Sequence, residues 1–143
     1  MAFDKATCPG GLYALGVPLR VLDSITEALP GDFGAVLVSG SHGGLSSARY
    51  ALRARPRLAV FNDAGIGKDD AGIAALEFLQ PHGIAACTVA HDSARIGQAA
   101  STLEDGVVSR CNEAAGLLGC TPGLRLHDWL LSGCAEGSSP AHR

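Results

Sequence analysis

Residues 34–63, GAVLVSGSHGGLSSARYALRARPRLAVFND, carry the pattern that decides the fold. Two short apolar runs, GAVLVSG (34–40) and RLAVFND (57–63), flank a segment from Leu45 onward whose apolar residues recur at helical spacing. Neither run alternates strictly between apolar and polar residues, which is typical of strands buried on both faces of a parallel sheet. We therefore interpret residues 34–63 as a strand–helix–strand unit with a right-handed crossover.

The same alternation continues toward the C-terminus. KDDAGIAALEFLQPHG (68–83) opens with two aspartates and closes with proline and glycine, which indicates a helix. A third apolar run, GIAACTVA (83–90), follows as a strand, and EDGVVSRCNEAAGLLG (104–119) carries an apolar stripe that predicts another helix. The expected fold is a three-layer α/β sandwich with a small, mostly parallel sheet, Rossmann-like or flavodoxin-like.

The two ends of the chain carry weaker patterns. PLRVLDSITEALPGD (18–32) is expected to contain a helix, with Asp23 or Ser24 as its cap and Pro30-Gly31 as its stop, and GLRLHDWLLSG (123–133) is compatible with a last helix or an edge strand. Since no linker or repeat divides the chain, we expect one domain over residues 1–135 and a flexible tail over 136–143.

Composition and charge exclude several classes of protein. The chain has 143 residues, enough for one domain, and a net charge of −3 without a Lys/Arg cluster, which argues against nucleic-acid binding. No apolar run approaches the roughly 20 residues of a membrane span, and the N-terminus lacks the pattern of a leader peptide, so we expect a cytoplasmic protein. With 47% hydrophobic and 17% charged residues, a homo-oligomer that covers apolar surface is expected.

The cysteines do not form a recognisable framework. There are five, widely spaced and without a CxxC pair, so neither a zinc knuckle nor a set of disulfides is predicted. Cys87 and Cys111 lie in apolar runs and are expected to be buried free thiols.

Each of the three predicted strands ends in a polar, glycine-rich loop. Because ligands bind beyond the carboxyl ends of parallel strands, these loops define the expected site. The first loop, SGSHGG (39–44), places two serines and a histidine among glycines whose free amides would form an anion cradle before a helix. It matches neither a Walker A loop nor a dinucleotide fingerprint, so no nucleotide cofactor is expected.

The second and third loops add acid–base and anion-binding groups. Asp63 either orients a histidine or closes an Asx turn, and the sequence leaves both open. Arg95 offers a bidentate grip for a carboxylate, and His91 or Asp92 is placed to reach His42 across the strand ends. Beyond the third loop, Ser109 and Asn112, expected on one helix, line the rim or form its polar face.

These loops predict a small cofactor-independent enzyme that acts on an anionic, carboxylate-bearing metabolite, with hydrolysis of an amide or ester as the first choice. The expected catalytic residues are Ser41, His42, Asp63 and His91. The expected substrate-binding residues are Ser39, Gly40, Gly43, Gly44, Asn62, Gly65, Ser93 and Arg95.

Three alternatives remain. A lyase or isomerase would use the same side chains. A non-catalytic module or complex subunit would bind a small anion at the same edge. A metal-dependent hydrolase would hold Zn²⁺ or Mn²⁺ with His42, Asp63, His91 and Asp92, although no spacing places two of these ligands on one element.

Overall fold

The computed structural model describes residues 7–8 and 11–135. Its strands form one sheet in chain order, β1 next to β2 and so on to β7. β3, β4, β5 and β6 pair in parallel, whereas β1, β2 and β7 join at the two ends in antiparallel pairs. The strands are β1 (Thr7–Cys8), β2 (Gly11–Ala14), β3 (Val17–Leu22), β4 (Val36–His42), β5 (Leu58–Asn62), β6 (Ala85–Val89) and β7 (Val108–Cys111).

Helices cover both faces of this sheet. One face carries α1 (Leu45–Ala54) and α2 (Ala74–Leu79), and the other carries α3 (Ala99–Asp105), α4 (Glu113–Leu117) and α5 (Leu126–Ala135). Short 3-10 turns complete the connections, at Ile25–Glu27, Pro30–Asp32, Lys68–Ile73 and Gln80–His82. The predicted three-layer α/β sandwich with a mostly parallel sheet is confirmed.

The central strands are buried on both sides, which explains their unbroken apolar runs. Along β4, Val36 and Val38 pack into the core under α3 and α5, whereas Leu37 packs into the core under α1 and α2. In β5 the same alternation places Val60 on the first side and Phe61 on the second. An apolar residue is therefore favoured at every position, as in other parallel sheets.

The strand order differs from the doubly wound orders of Rossmann and flavodoxin folds, because here the strands follow one another across the sheet. The crossover after β5 runs over the face of α2, and the chain after β6 runs to α3 on the opposite face. The two chain segments diverge where β5 and β6 end. Such a divergence opens a crevice at the carboxyl edge of a sheet.

The helix expected within residues 18–32, from a cap at Asp23 or Ser24 to a stop at Pro30-Gly31, is observed only as the 3-10 turns Ile25–Glu27 and Pro30–Asp32. Residues Val17–Leu22, before the cap, form β3, which pairs in parallel with β4. Ser24 does cap the first 3-10 turn, because its side chain accepts a hydrogen bond from the Thr26 N–H. Leu19 and Leu22, three residues apart, fit a helical stripe as well as a strand, and strand pairing decides between them.

The predicted helix over residues 104–119 is also wrong, because it merges three elements. α3 ends at Asp105, β7 follows, and α4 begins at Glu113. A side chain at Gly106 would collide with Thr102 O and the Val89 side chain. The backbone at Gly106 is therefore packed closely against α3 and β6 where the chain turns. The β-branched pair Val107-Val108 then favours a strand.

Ser109 and Asn112 therefore do not share a helix. Ser109 lies on β7, where its Oγ is 2.9 Å from Thr88 Oγ1. Asn112 is buried and caps α4, with Oδ1 accepting the N–H groups of Ala86 and Ala115. Its amide has a structural role, so the expected place at the rim of a site is not observed.

Two further boundaries are refined. The aspartates of the segment 68–83 do not begin an α-helix, because Asp69 and Asp70 have φ values of 57° and 58° and α2 begins only at Ala74. Of the two readings of residues 123–133, the helix is observed as α5. The predicted tail, residues 136–143, lies outside the described residues.

Candidate functional site

Asn62, the last residue of β5, connects the two loops at the crevice. Its side chain is fully buried. Nδ2 donates to the Ala94 carbonyl at 3.1 Å, and Oδ1 accepts the Ala64 N–H at 2.8 Å. One amide thereby fixes the start of the loop after β5 and the middle of the loop after β6.

Asp63 holds the same two loops with a carboxylate. Its Oδ1 accepts the Gly65 N–H at 2.8 Å, which is the Asx turn considered from the sequence, and the His91 N–H at 3.0 Å. The residue is only 4% exposed. Asp63 thus closes the Asx turn and its carboxylate also lies next to His91, so the turn does not exclude a contact with the histidine.

The imidazole of His91 lies at the mouth of the crevice. Its Nδ1 is 3.6 Å from Asp63 Oδ1, longer than an ordinary hydrogen bond, and 59% of the side chain is exposed. A Cβ at Gly65 would lie 3.7 Å from His91 Nδ1, so the glycine lies directly beside the ring. The histidine is therefore accessible and has a buried carboxylate next to one ring nitrogen.

Asn62 and His91 border a cleft of about 510 Å³ between the ends of β5 and β6, which we call the β5–β6 cleft. Such a volume suits a small metabolite. The lining residues are Asn62, Ala64, His91, Asp92, Ser93, Ala94, Arg95, Ile96, Ser101 and Asp105.

Arg95 is the cation of this cleft. Its backbone is fixed because the Arg95 N–H donates to Ser101 Oγ at 2.9 Å. Among residues 12–131, whose side chains are described, no carboxylate forms an ion pair with the Arg95 guanidinium. The guanidinium is thus available to a ligand, in a cleft that also contains the carboxylates of Asp92 and Asp105.

Main-chain donors are also available in the cleft. Within the described residues, the N–H groups of Asp92, Ala94 and Ile96 make no hydrogen bond to the protein. Neighbouring donors are occupied, for example the Ser93 N–H by Ala90 O. Free N–H groups beside a histidine can stabilise negative charge on a bound oxygen atom.

The serine hydroxyls near the crevice are occupied by the main chain. Ser93 Oγ donates to Ala90 O at 2.7 Å and accepts the Val107 N–H at 3.0 Å. Ser101 Oγ accepts from Arg95 as described above. Both hydroxyls shape the loop after β6.

The first loop lies elsewhere than expected. β4 extends to His42, so Ser39 is a fully buried strand residue whose Oγ donates to Val60 O at 2.7 Å. Ser41 Oγ accepts the Ile25 N–H at 2.9 Å. The exposed His42 ends β4, and His91 lies in the loop after β6. Because β5 lies between β4 and β6, these two histidines follow strands that are not neighbours.

The glycines of this loop allow close packing. A Cβ at Gly40 would lie 2.5 Å from Gln98 N, and one at Gly43 would lie 2.6 Å from Gly72 O. Gly44 precedes α1 and borders a second depression together with His42 and Gly67. The structure therefore gives Gly40 and Gly43 a packing role, and Gly44 alone lines a surface open to a ligand.

The loop after β5 has an unusual backbone. Ala64, Ile66, Asp69 and Asp70 all have positive φ, with 69° at the β-branched Ile66. Non-glycine residues rarely adopt this conformation, and clusters of it occur at functional sites. The loop lies between the β5–β6 cleft and the second depression, with Ala64 bordering both.

Of the predicted site residues, the structure brings together Asn62, Asp63, Gly65, His91, Ser93 and Arg95. Ser39, Gly40, Ser41, His42, Gly43 and Gly44 do not line the β5–β6 cleft. Sequence reasoning missed Ser101 and Asp105. They lie four residues apart on α3, a spacing that places both on one face, but the helix itself was not predicted there.

Two classes of feature are absent from the described part of the chain. It contains no group of three or more His, Cys, Asp or Glu side chains placed to hold a metal ion. Of its helices, none has both the length and the apolar character that crossing a bilayer requires.

Comparison with known proteins gives no match: no family model fits the chain, and no curated protein or solved structure is detectably similar to it.

Proposed function

We propose that this protein is a cofactor-independent enzyme that hydrolyses an amide or ester of a small carboxylate-bearing metabolite in the β5–β6 cleft. The observation that carries the proposal is the pairing of an exposed imidazole with a buried carboxylate, His91 with Asp63, beside a guanidinium without an ion-pair partner among the described residues. A base, its orienting acid and an anion anchor are the components of such a site.

His91 is the general base and acid. Its Nδ1 faces Asp63 Oδ1, which leaves Nε2 as the nitrogen that removes a proton from water or returns one to the leaving group. The 3.6 Å separation in the free protein is compatible with this role, because catalytic hydrogen bonds often shorten when substrate binds.

Water is the nucleophile in this mechanism. Ser39, Ser41, Ser93 and Ser101 use their hydroxyls to bond main-chain groups, and Ser39 is fully buried. An attack by water produces a tetrahedral oxyanion, and the N–H groups of Asp92, Ala94 and Ile96, which make no hydrogen bond among the described residues, would stabilise it.

Arg95 binds the substrate carboxylate through paired N–H groups. The cleft contains one guanidinium and two carboxylates, Asp92 and Asp105. A substrate with a single carboxylate and a neutral or cationic remainder therefore fits its charge better than a dicarboxylate. N-acyl amino acids and O-acyl hydroxy acids have this composition.

The proposal is tested by following a panel of N-acyl amino acids and carboxylate-bearing esters by NMR. Reaction in ¹⁸O-labelled water identifies hydrolysis by label in the released acid, whereas a lyase or isomerase incorporates solvent deuterium at carbon. His91→Gln removes turnover, and His82→Gln, at an exposed histidine outside the cleft, retains it. Binding of these probes without any turnover would instead identify a carboxylate-binding module.

We further propose that the protein works as a homo-oligomer in the cytoplasm. Large apolar side chains are exposed at Leu29, Phe33, Ile96 and Leu117, the last at 84%, and a second copy would cover such groups. Cys87, Cys111 and Cys120 are free thiols, in keeping with a reducing compartment. Light scattering of the purified protein gives the number of subunits.

A further inference from the structure

Three cysteines meet in the core beneath α5. We call Cys87, Cys111 and Cys120 the thiol cluster. Cys87 on β6 and Cys111 on β7 are register partners. The next pair of residues along these two strands, Ala86 and Asn112, is hydrogen-bonded, because the Asn112 N–H donates to Ala86 O. Cys87 and Cys111 therefore form a non-hydrogen-bonded pair, for which the Cα atoms lie about 4.5 Å apart and the side chains are close.

Cys120, two residues beyond α4 and its C-cap, completes the cluster. The Cys111 thiol is 3.6 Å from the Cys120 carbonyl oxygen, to which it donates. Hydrogen bonding from the neighbouring thiols, chiefly Cys87, lowers the pKa of Cys120, whereas burial raises the pKa of Cys111.

The three thiols differ in access to solvent. Cys87 is fully buried, and its hydrogen bond to Cys120 together with burial raises its pKa well above the ordinary value. Cys120 is 2% exposed, and Cys111 is partly exposed at the edge of the sheet. A small reagent thus meets Cys111 first.

We propose that Cys111 and Cys120 form a redox-active dithiol that a hydroperoxide converts to a disulfide. In the first step the Cys111 sulfur attacks the peroxide: an S–O bond forms, the O–O bond breaks, and the alcohol, or water from hydrogen peroxide, leaves with the thiol proton. Cys120 then attacks the sulfenic sulfur of Cys111, so that the S–S bond forms and water leaves with the second proton. The two electrons that reduce the peroxide come from the two sulfur atoms.

The chemistry of the cluster favours this pair. A lowered pKa increases the thiolate fraction of Cys120, which suits it for the second step. The contact between the Cys111 thiol and the Cys120 carbonyl also brings these two residues together, whereas Cys87 is fully buried on β6 and is reached last by a reagent.

The backbone allows the pair to close. Asn112 fixes the chain next to Cys111, because its Nδ2 donates to the carbonyls of Leu76 and Ile84. Cys120 follows Gly119, whose φ is 100°, and precedes the exposed Thr121-Pro122-Gly123 turn. Cys120 packs in the core and its N–H donates to Ala115 O at 3.2 Å, so its movement toward a fixed Cys111 involves the end of α4 and the turn that follows.

Tryptic mapping of the full-length protein tests the proposal directly. Trypsin cleaves after Arg110 and Arg125, so Cys111 and Cys120 fall in one peptide, 111–125, whereas Cys87 falls in peptide 69–95. The reduced protein is treated with stoichiometric hydrogen peroxide, alkylated and digested. We expect peptide 111–125 to resist alkylation and to be about 2 Da lighter than its reduced form, with peptide 69–95 fully alkylated. Dithiothreitol restores alkylation of both cysteines.

Other products overturn the proposal. These are a disulfide that links peptide 69–95 to peptide 111–125, full alkylation of Cys111 and Cys120, and Cys111 sulfinic acid beside an alkylated Cys120. Cys87→Ala serves as the matched control and keeps the internal disulfide, whereas Cys120→Ala abolishes it. The wild-type map decides by itself if a variant does not fold.

Discussion

Asp63 fixes His91 from two sides, because the same carboxylate oxygen accepts the His91 main-chain N–H at 3.0 Å and stands 3.6 Å from the His91 ring nitrogen Nδ1. The first contact holds the loop after β6, and the second places a carboxylate beside the ring. A buried carboxylate at the end of β5 thereby lies next to an exposed imidazole that follows β6. This relationship links the sheet to the proposed chemistry.

Asp63→Asn separates the two contacts. The amide oxygen of asparagine still accepts the Gly65 and His91 N–H groups, so we expect the free energy of unfolding to change by no more than about 1 kcal/mol. Turnover should fall by about 10²-fold or more, because the negative charge that stabilises a protonated imidazole is gone. Chemical denaturation and kcat measure the two effects. An active Asp63→Asn enzyme would contradict the proposed role of the pair.

Arg95→Gln should act on substrate binding. Loss of a charged hydrogen bond to the carboxylate costs about 1.5–3 kcal/mol, which raises KM roughly 10- to 100-fold and leaves kcat largely unchanged. Arg49→Gln, at an exposed arginine on α1, is the control and should leave KM unchanged. Equal effects of both substitutions would show that Arg95 acts only through the net charge.

Ser41→Ala distinguishes a water nucleophile from a serine nucleophile. Ser41 Oγ accepts the Ile25 N–H at 2.9 Å, so its removal should destabilise the fold by about 1–2 kcal/mol. Activity per folded molecule should be retained. A stable Ser41→Ala protein without activity would instead identify Ser41 as the nucleophile.

Gly40→Ala tests the packing role of the first loop. The added Cβ would lie 2.5–2.8 Å from main-chain atoms of Gln98, Gly97 and Asp23, and we expect a loss of about 1–3 kcal/mol. Gly116→Ala on α4, where nothing lies within 4 Å, should instead stabilise the protein by about 0.5–1 kcal/mol. Thermal unfolding of the two variants compares them, and opposite shifts in Tm are expected.

The parts of the fold that could be predicted from the sequence are those with one dominant pattern. Apolar residues fill most buried positions of β4, β5 and β6, because both faces of the sheet are covered, and Ser39, Asn62 and Thr88 are the buried polar exceptions. β3 and β7 lie toward the two ends of the sheet, and their identity depends on pairing with residues in other parts of the chain. In the sequence, Val108 and Cys111 continue the apolar spacing of the helix predicted over residues 104–119. Gly106 is the residue that marks the end of α3 before β7.

The candidate site divides in the same way. Asp63 and His91 could be placed together because they follow adjacent parallel strands. Ser39 and Ser41 could not be placed, since the direction of each side chain depends on where β4 ends, and β4 continues to His42. A hydroxyl that bonds to a distant carbonyl, as Ser39 does to Val60, leaves no local signal.

The central claim is that the β5–β6 cleft binds a carboxylate at Arg95 beside His91. An ¹H–¹⁵N NMR titration with N-acetylglycine, which combines an amide with one carboxylate, tests it most directly. We expect saturable chemical-shift changes in the amide signals of Ala64, Asp92, Ala94 and Ile96, and we expect these changes to disappear in Arg95→Gln. Shifts confined to the start of α1 around Gly44 and Leu45, unchanged in Arg95→Gln, would contradict it.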